Sequence, residues 1–165
     1  MAKLATKPQS AMASSGPVIS GNDISMSPGS TVIATTGILV EDCTGTGINM
    51  ADNFVAVPTD AIVTDGCDFI DENSELVGGD QASTSGVVST SGDSVTLSGT
   101  TISGFDTGVE SDAGTLSVID YATIAGASEG IWAYDTQLLI NYADLDGGAS
   151  GVGLVVEDSG EALMY

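Results

Sequence analysis

Residues 86–106 read GVVSTSGDSVTLSGTTISGFD, and three further segments with the same pattern follow them. They are GVESDAGTLSVIDYATIAGAS at 108–128, GIWAYDTQLLINYADLDGGAS at 130–150 and GVGLVVEDSGEALMY at 151–165. The glycines that begin the four segments are 22, 22 and 21 residues apart. A repeat of this length is typical of a solenoid, in which each unit buries its apolar side chains only against its neighbours.

Apolar residues recur at matching places in the four segments, with glycine or aspartate between them. These places predict three short strands per unit, because Val, Ile and Leu suit strands while Gly and Asp suit turns. The unit therefore describes one coil of a parallel β-helix, stacked about 4.8 Å from the next. The matching sets are Val87, Val109, Ile131 and Val152; Val95, Leu116 and Leu138; Leu97, Val118 and Ile140; and Ile102, Ile124 and Leu145.

A fainter copy of the repeat lies in the first half of the chain. Residues 38–43, ILVEDC, match residues 62–67, IVTDGC, at an offset of 24. We therefore predict a β-helix domain over 23–165, with coils of about 21–24 residues, clear repeats at 86–165 and fainter ones at 30–85. Residues 71–94 are expected to form a looser coil with a polar loop at 78–94. Residues 1–22, which contain both lysines and no acid, are predicted to be an extended N-terminal arm.

The pattern G-[IV]-x…L-x-[VI]…[IL]-x-G resembles the right-handed parallel β-helix superfamily. That group includes pectate lyases, polygalacturonases, many phage tailspikes and surface adhesins. The resemblance implies an all-β, right-handed solenoid and says little about function, because one fold hosts many functions. Its enzymes rely on Arg, Lys or His beside their carboxylates. This chain has no arginine, no histidine and no lysine after residue 7, so no catalytic residue of the family carries over.

The charge is extreme, with 23 acidic side chains against two lysines and a formal net charge of −21. Nucleic acids and anionic membranes are disfavoured as partners, since those contacts need Lys and Arg. Two interpretations of the acidity remain open: solubility in strong salt and binding of a cation, with Ca²⁺ the possible cofactor. The candidate metal ligands are Asp42 with Asp65, and Asp71 with Glu72.

Enzymatic chemistry finds little support in the sequence. A Ser or Cys nucleophile needs a base such as histidine, which is missing. A glycosidase needs only two carboxylates, and Asp120 with Asp144 or Asp112 with Asp135 could stack on adjacent coils. These acids are interpreted as solvated side chains of turns and outer faces, so the chain is predicted not to be an enzyme.

The two cysteines fall at equivalent places of adjacent coils. A spacing near 4.8 Å lies inside the Cα range of a disulfide, so Cys43 and Cys67 could be bridged. The alternative, slightly favoured because parallel side chains strain a bridge, is a pair of buried thiols that act as small apolar side chains.

Several residues are candidates for contacts between subunits. Trp132 and Tyr134 share one face of a strand and point away from Ile131, so they are predicted to face outward if Ile131 is in the core. Tyr165 closes an apolar run at 161–165 in the middle of a coil, which a neighbouring subunit is expected to cover. Lys3 and Lys7 are expected to bind an acidic neighbour.

These observations predict a non-enzymatic structural or adhesive component of a larger assembly. The specific expectation is a virion protein adapted to high salt, such as a capsid decoration or a tail fibre or spike, in a virion or extracellular assembly. We expect a homo-oligomer, with a trimer favoured. The alternatives are a cell-surface adhesin or self-stacking filament subunit, and a carboxylate-only glycosidase.

Overall fold

The chain forms an all-β solenoid of parallel, stacked coils, as the repeat predicts. The computed structural model describes residues 18–25, 36–41, 43, 47–91, 93–149, 151–158 and 161–165. No helix in this part of the chain is long and apolar enough to cross a membrane. The strands are β1 (Val18–Ser20), β2 (Asp23–Ser25), β3 (Thr36–Glu41), β4 (Ile48–Ala51), β5 (Phe54–Ala56), β6 (Asp60–Asp65), β7 (Phe69–Glu72), β8 (Glu75–Thr90), β9 (Ser94–Ser98), β10 (Thr101–Ile119), β11 (Thr123–Ile140), β12 (Asp144–Asp146), β13 (Val152–Glu157) and β14 (Glu161–Met164).

The strands stack into three parallel ladders, which we call faces A, B and C. Face A contains β2, β5, the first residues of β8, β10 and β11, and β12. Face B contains β3, β6, the end of β8, the middle of β10 and β11, and β13. Face C contains β1, β4, β7, β9, the ends of β10 and β11, and β14. Every pairing is parallel, so equivalent side chains of successive coils lie above one another.

The core is built from inward rows of apolar side chains, one residue from each coil. Along face C, for example, Val95, Leu116 and Leu138 follow one another in register and are buried. Each such row packs against the rows of the other two faces, so no coil buries its apolar residues alone. The inward row of face A is Ile24, Val55, Leu76, Ile102, Ile124 and Leu145.

The glycines that begin the first three repeats, at 86, 108 and 130, are explained by a close approach between faces A and B. A Cβ atom added to Gly108 would lie 2.5 Å from Ile124 Cγ2 and 2.5 Å from the carbonyl oxygen of Gly130. Ile124 belongs to the inward row of face A, and Gly130 occupies the equivalent position on the next coil. The dipeptide pattern Gly-Val or Gly-Ile therefore marks the point where side chains of face A pack closely against the start of a face B strand.

The corner between faces C and A repeats one backbone conformation. The residue at this corner has a left-handed φ of 52–65° in each coil, and the residue after it packs toward the interior. Asparagine and aspartate tolerate this region better than most side chains. Asn53, one of the interior residues, accepts hydrogen bonds at Oδ1 from the N and Nδ2 atoms of Asn22 and donates from Nδ2 to the carbonyl of Ile19. The left-handed residues are Gly21, Asp52, Asn73, Gly99, Tyr121 and Tyr142.

The fainter repeat in the first half of the chain is confirmed as a pair of adjacent coils. Ile38 pairs with Ile62 and Val40 with Thr64, at the predicted offset. A disulfide bond joins Cys43 to Cys67, with 5.1 Å between their Cα atoms. The slightly favoured interpretation as two free thiols is therefore wrong, because the stacked coils bring the two residues within bridging distance.

Two details of the predicted repeat are wrong. The repeat predicted that Val152 matches Ile131. In the structure Ile131 pairs with Leu154 instead, and Val152 pairs with Glu129 and is half exposed. Gly151 and Gly153 both precede an apolar residue, and the sequence pattern fits either of them. The predicted polar loop at 78–94 is also wrong, since β8 continues through most of it.

The length of the coils is less regular than predicted. Leu76 pairs with Ile102 after 26 residues, and Ile24 pairs with Val55 after 31. Of the predicted arm, residues 1–17 lie outside the described residues, and Val18–Ser20 pairs with β4 on face C. The solenoid therefore keeps its register while the corners take up extra residues.

We expect Gly108→Ala to lower the free energy of unfolding by about 1–3 kcal/mol, the usual cost of forcing atoms into a packed interior. Urea unfolding followed by circular dichroism would measure this loss. Gly21→Asn is the matched control, because a Cβ at Gly21 meets nothing within 4 Å and Asn73 adopts the same conformation two coils later. Equal losses from both substitutions would contradict the close approach as the cause.

Candidate functional site

The outer surface of face B carries a row of mostly apolar side chains, which Glu110 interrupts at one coil. Trp132 lies beside Val155 on one neighbouring strand and beside Glu110 on the other. Each of these residues is at least partly exposed, and Leu39 at the start of the row is 55% exposed. We call this set the apolar row. It consists of Leu39, Val63, Val88, Trp132 and Val155, with Glu110 between Val88 and Trp132.

Acidic side chains flank the apolar row on both sides. On one side, Asp60 and Glu129 stand in line with Thr36, Ser85, Thr107 and Val152, and we call this line the first acidic row. On the other side, the second acidic row contains Glu41, Asp65, Asp112 and Glu157, with Thr90 and Tyr134 between them. Face B therefore presents an apolar centre with two negative borders.

Trp132 forms the wall of a shallow cleft on this surface. The cleft has a volume of about 250 Å³ and is lined by Thr107, Glu110, Glu129 and Trp132. A neighbouring hydroxyl contacts each carboxylate: Ser85 Oγ donates to Glu110 Oε2 at 3.2 Å, and Thr107 Oγ1 donates to Glu129 Oε2 at 3.4 Å. Two oriented carboxylates beside an indole ring suit a cation, which both groups attract.

The predicted aromatic pair lies on this surface. The rings of Trp132 and Tyr134 are stacked, with centroids 6.1 Å apart and an interplanar angle of 20°. Ile131 and Ala133 on either side of Trp132 are buried, so the predicted outward orientation of the pair is found. The hydroxyl of Tyr134 hydrogen-bonds to Asp158, and this interaction raises the pKa of Tyr134.

The other predicted contact residues are not brought to face B. Tyr165 is 76% exposed, and its backbone N donates to the carbonyl of Ile140 on face C. Lys3 and Lys7 lie outside the described residues.

The candidate metal ligands are dispersed. Asp65 lies in the second acidic row, where Ser91 Oγ donates to its Oδ1 at 2.6 Å. Asp71 and Glu72 are consecutive in β7, so Asp71 points into the core and Glu72 into solvent. Asp42 lies outside the described residues. In the parts of the chain that the structure describes, no group of three or more Asp, Glu or Cys side chains is placed to hold a metal ion.

The two carboxylate pairs considered for glycosidase chemistry do not occupy equivalent positions. Asp144 pairs with Thr123 rather than with Asp120. Asp112 pairs with Tyr134, one residue before Asp135. Ser98 Oγ donates to Asp120 Oδ2 at 3.0 Å. The register thus does not stack either pair.

Asp71 is an acid of the interior. It stands in the inward row of face C between Met50 and Leu97 and is fully buried. Ser74 Oγ donates to its Oδ1 at 2.6 Å, and Thr100 Oγ1 donates to its Oδ2 at 2.7 Å. Burial disfavours the charged form and raises the pKa of Asp71, although the two hydroxyls oppose this effect. Asp71 is therefore part of the core and is no surface ligand.

Sequence reasoning did not identify Glu110 and Glu129, the acidic residues of the cleft. Glu110 occupies a place that is Val88 on one neighbouring coil and Trp132 on the other, and this break in an apolar row is the signal that could have found it. Glu129 precedes the glycine of its repeat and gives no comparable signal.

No protein-family model, curated protein or solved structure matches this chain.

The raised pKa of Asp71 predicts a pH-dependent stability. The carboxyl group of Asp71 binds its proton more tightly in the folded chain than in the unfolded chain. The contribution of Asp71 to the free energy of unfolding is therefore complete below the ordinary pKa of 3.8, and it is lost as the pH rises through the pKa of the folded state. Asp71→Asn carries no charge and should become more stable relative to the unmodified chain as the pH increases from about 4. Urea unfolding of both chains between pH 3 and pH 8 would measure this.

The matched control for this experiment is Glu72→Gln, which removes the adjacent carboxylate that faces solvent. If the stability difference between the unmodified chain and Asp71→Asn stayed constant over the pH range, the pKa of Asp71 would not be raised by folding.

Proposed function

We propose that this chain is a non-enzymatic structural or adhesive component of a larger assembly, and that face B is its contact surface. The specific form that we propose is a virion protein, either a capsid decoration or a fibre or spike component, from the right-handed parallel β-helix superfamily. The observation that carries the proposal is the apolar row, which follows the register of the coils between two acidic rows and is interrupted at Glu110.

The apolar row supports a contact role because its members stack on neighbouring coils, from Leu39 to Val88 on one side of Glu110 and from Trp132 to Val155 on the other. Single exposed apolar side chains are normal on a protein surface, but a connected patch with a polar rim is typical of an interface. Successive coils are about 4.8 Å apart, so five steps from Leu39 to Val155 extend about 24 Å. Trp132 and Tyr134 are of the residue types that supply most of the binding energy in protein contacts.

The acidic rows support adaptation of this contact to strong salt. Each copy has a formal net charge of −21, so two copies that associate through face B of one of them repel each other at low ionic strength. The Debye length falls from about 30 Å at 0.01 M to about 3 Å at 1 M salt, which removes most of this repulsion. Strongly hydrated salts also strengthen the burial of apolar surface. We therefore propose that association through face B is favoured in concentrated salt.

Light scattering of the purified chain in 0.15 M and in multimolar salt tests this proposal. We expect a closed oligomer of defined mass in concentrated salt, with a trimer favoured. The substitutions Trp132→Ser and Tyr134→Ser together should raise the dissociation constant at least about 30-fold, which corresponds to the 2 kcal/mol of a strong interface residue.

The matched control replaces Tyr121 and Tyr142 by Ser. These two rings also contact each other, with centroids 5.8 Å apart, and are more exposed than Tyr134, but they lie at the corner between faces C and A. An unmodified chain that stays monomeric in both salts would refute the assembly role. An oligomer that responds equally to both pairs of substitutions would place its contact elsewhere than on face B.

A further inference from the structure

The cleft beside Trp132 is the most specific feature of face B. Its two carboxylates come from adjacent coils, and each accepts a hydrogen bond from a neighbouring hydroxyl, that of Ser85 or Thr107. An ammonium group has three donors and no acceptor, so it can bind two carboxylates at once. The indole face of Trp132 attracts the same cation. The chemistry of the cleft thus suits a cationic group, and the ammonium of a lysine side chain is one that fits it.

The chain itself contains this group only in its first residues. Lys3 and Lys7 are its only basic side chains, and residues 1–17 contain no acid, although the net charge of the chain is −21. The charge of this segment is therefore complementary to the acidic borders of face B. We propose that residues 1–17 of one copy bind across face B of a second copy, with the ammonium of one lysine in the cleft. This inference rests on the proposed assembly and names the contact that directs it.

The spacing of the two lysines fits the first acidic row. Four residues of extended chain cover about 13 Å, and the side chains at both ends of this interval point to the same side. Glu129 and Asp60 belong to the first acidic row and are three coils apart, which is about 14 Å. One lysine can therefore occupy the cleft at Glu129 while the other reaches Asp60.

Charge exchange between two variants of the full chain tests the proposal. The first variant carries Lys3→Glu and Lys7→Glu, and the second carries Glu110→Lys and Glu129→Lys. Light scattering in 0.15 M salt should show that either variant alone dissociates at least about tenfold more easily than the unmodified chain. An equimolar mixture should recover a complex that contains both, because the acidic arm then meets a basic cleft on another copy. The difference in dissociation between each variant and the unmodified chain should become smaller in multimolar salt, because exposed charge pairs are screened there.

The control mixture combines the first variant with a chain that carries Asp144→Lys and Asp146→Lys, an equal change of charge on face A. It should stay dissociated. Circular dichroism verifies that each variant is folded. If the Glu110→Lys, Glu129→Lys chain does not fold, the milder Glu110→Gln, Glu129→Gln chain should show the weaker association on its own.

The outcomes separate this inference from the proposed function. If the Lys3→Glu, Lys7→Glu chain assembles as the unmodified chain does, the role of the segment is refuted and the assembly role stands. If the folded variants fail to complement each other, docking between copies is refuted, including the case in which each segment binds its own face B. If the unmodified chain is monomeric in both salts, the inference and the proposed function both fail.

Discussion

The parallel hydrogen-bond register between successive coils is the constraint on which the rest of the structure depends. It places each residue above its equivalent in the neighbouring coil, at the distance between adjacent strands, which is about 4.8 Å. A favourable side chain at one position is therefore repeated along the whole solenoid, and so is an unfavourable one. The inward rows, the glycine contacts between faces A and B and the disulfide all follow from this register. So does the continuous outer surface of face B.

Much of this arrangement could be predicted because some positions of the repeat accept very few residue types. Only glycine fits where Ile124 and the carbonyl of Gly130 approach Gly108, so the glycine spacing gave the length of the later coils. The last coil was misaligned because Gly151 and Gly153 satisfy the pattern equally well. Its true register depends on contacts with the coil before it, which no local pattern records. The repeat likewise placed Cys43 and Cys67 at equivalent positions of adjacent coils, but it did not show whether the two residues form a disulfide.

The polar positions were harder to predict than the apolar ones. Asp71 was interpreted as a surface ligand, although it occupies a place that is Met50 and Leu97 in the neighbouring coils. An aspartate is stable there only because Ser74 and Thr100, from different coils, both donate to it. The cleft on face B is likewise assembled from two coils, and Glu110 and Glu129 are separated by most of one repeat. Such sites depend on neighbours that are distant in sequence, so their chemistry becomes visible only when the coils are stacked.

The disulfide has a consequence for how this solenoid would respond to a force applied at its ends. A solenoid pulled from its ends unwinds coil by coil, because each coil is held by its neighbours alone. Cys43 and Cys67 are 24 residues apart and close a loop of about one coil. That loop cannot be drawn out while the bond is intact, which removes about 80 Å of contour length from the extension under tension. Residues 43–67 therefore behave as a short inextensible segment, and stretching under tension is confined to the coils on either side of it.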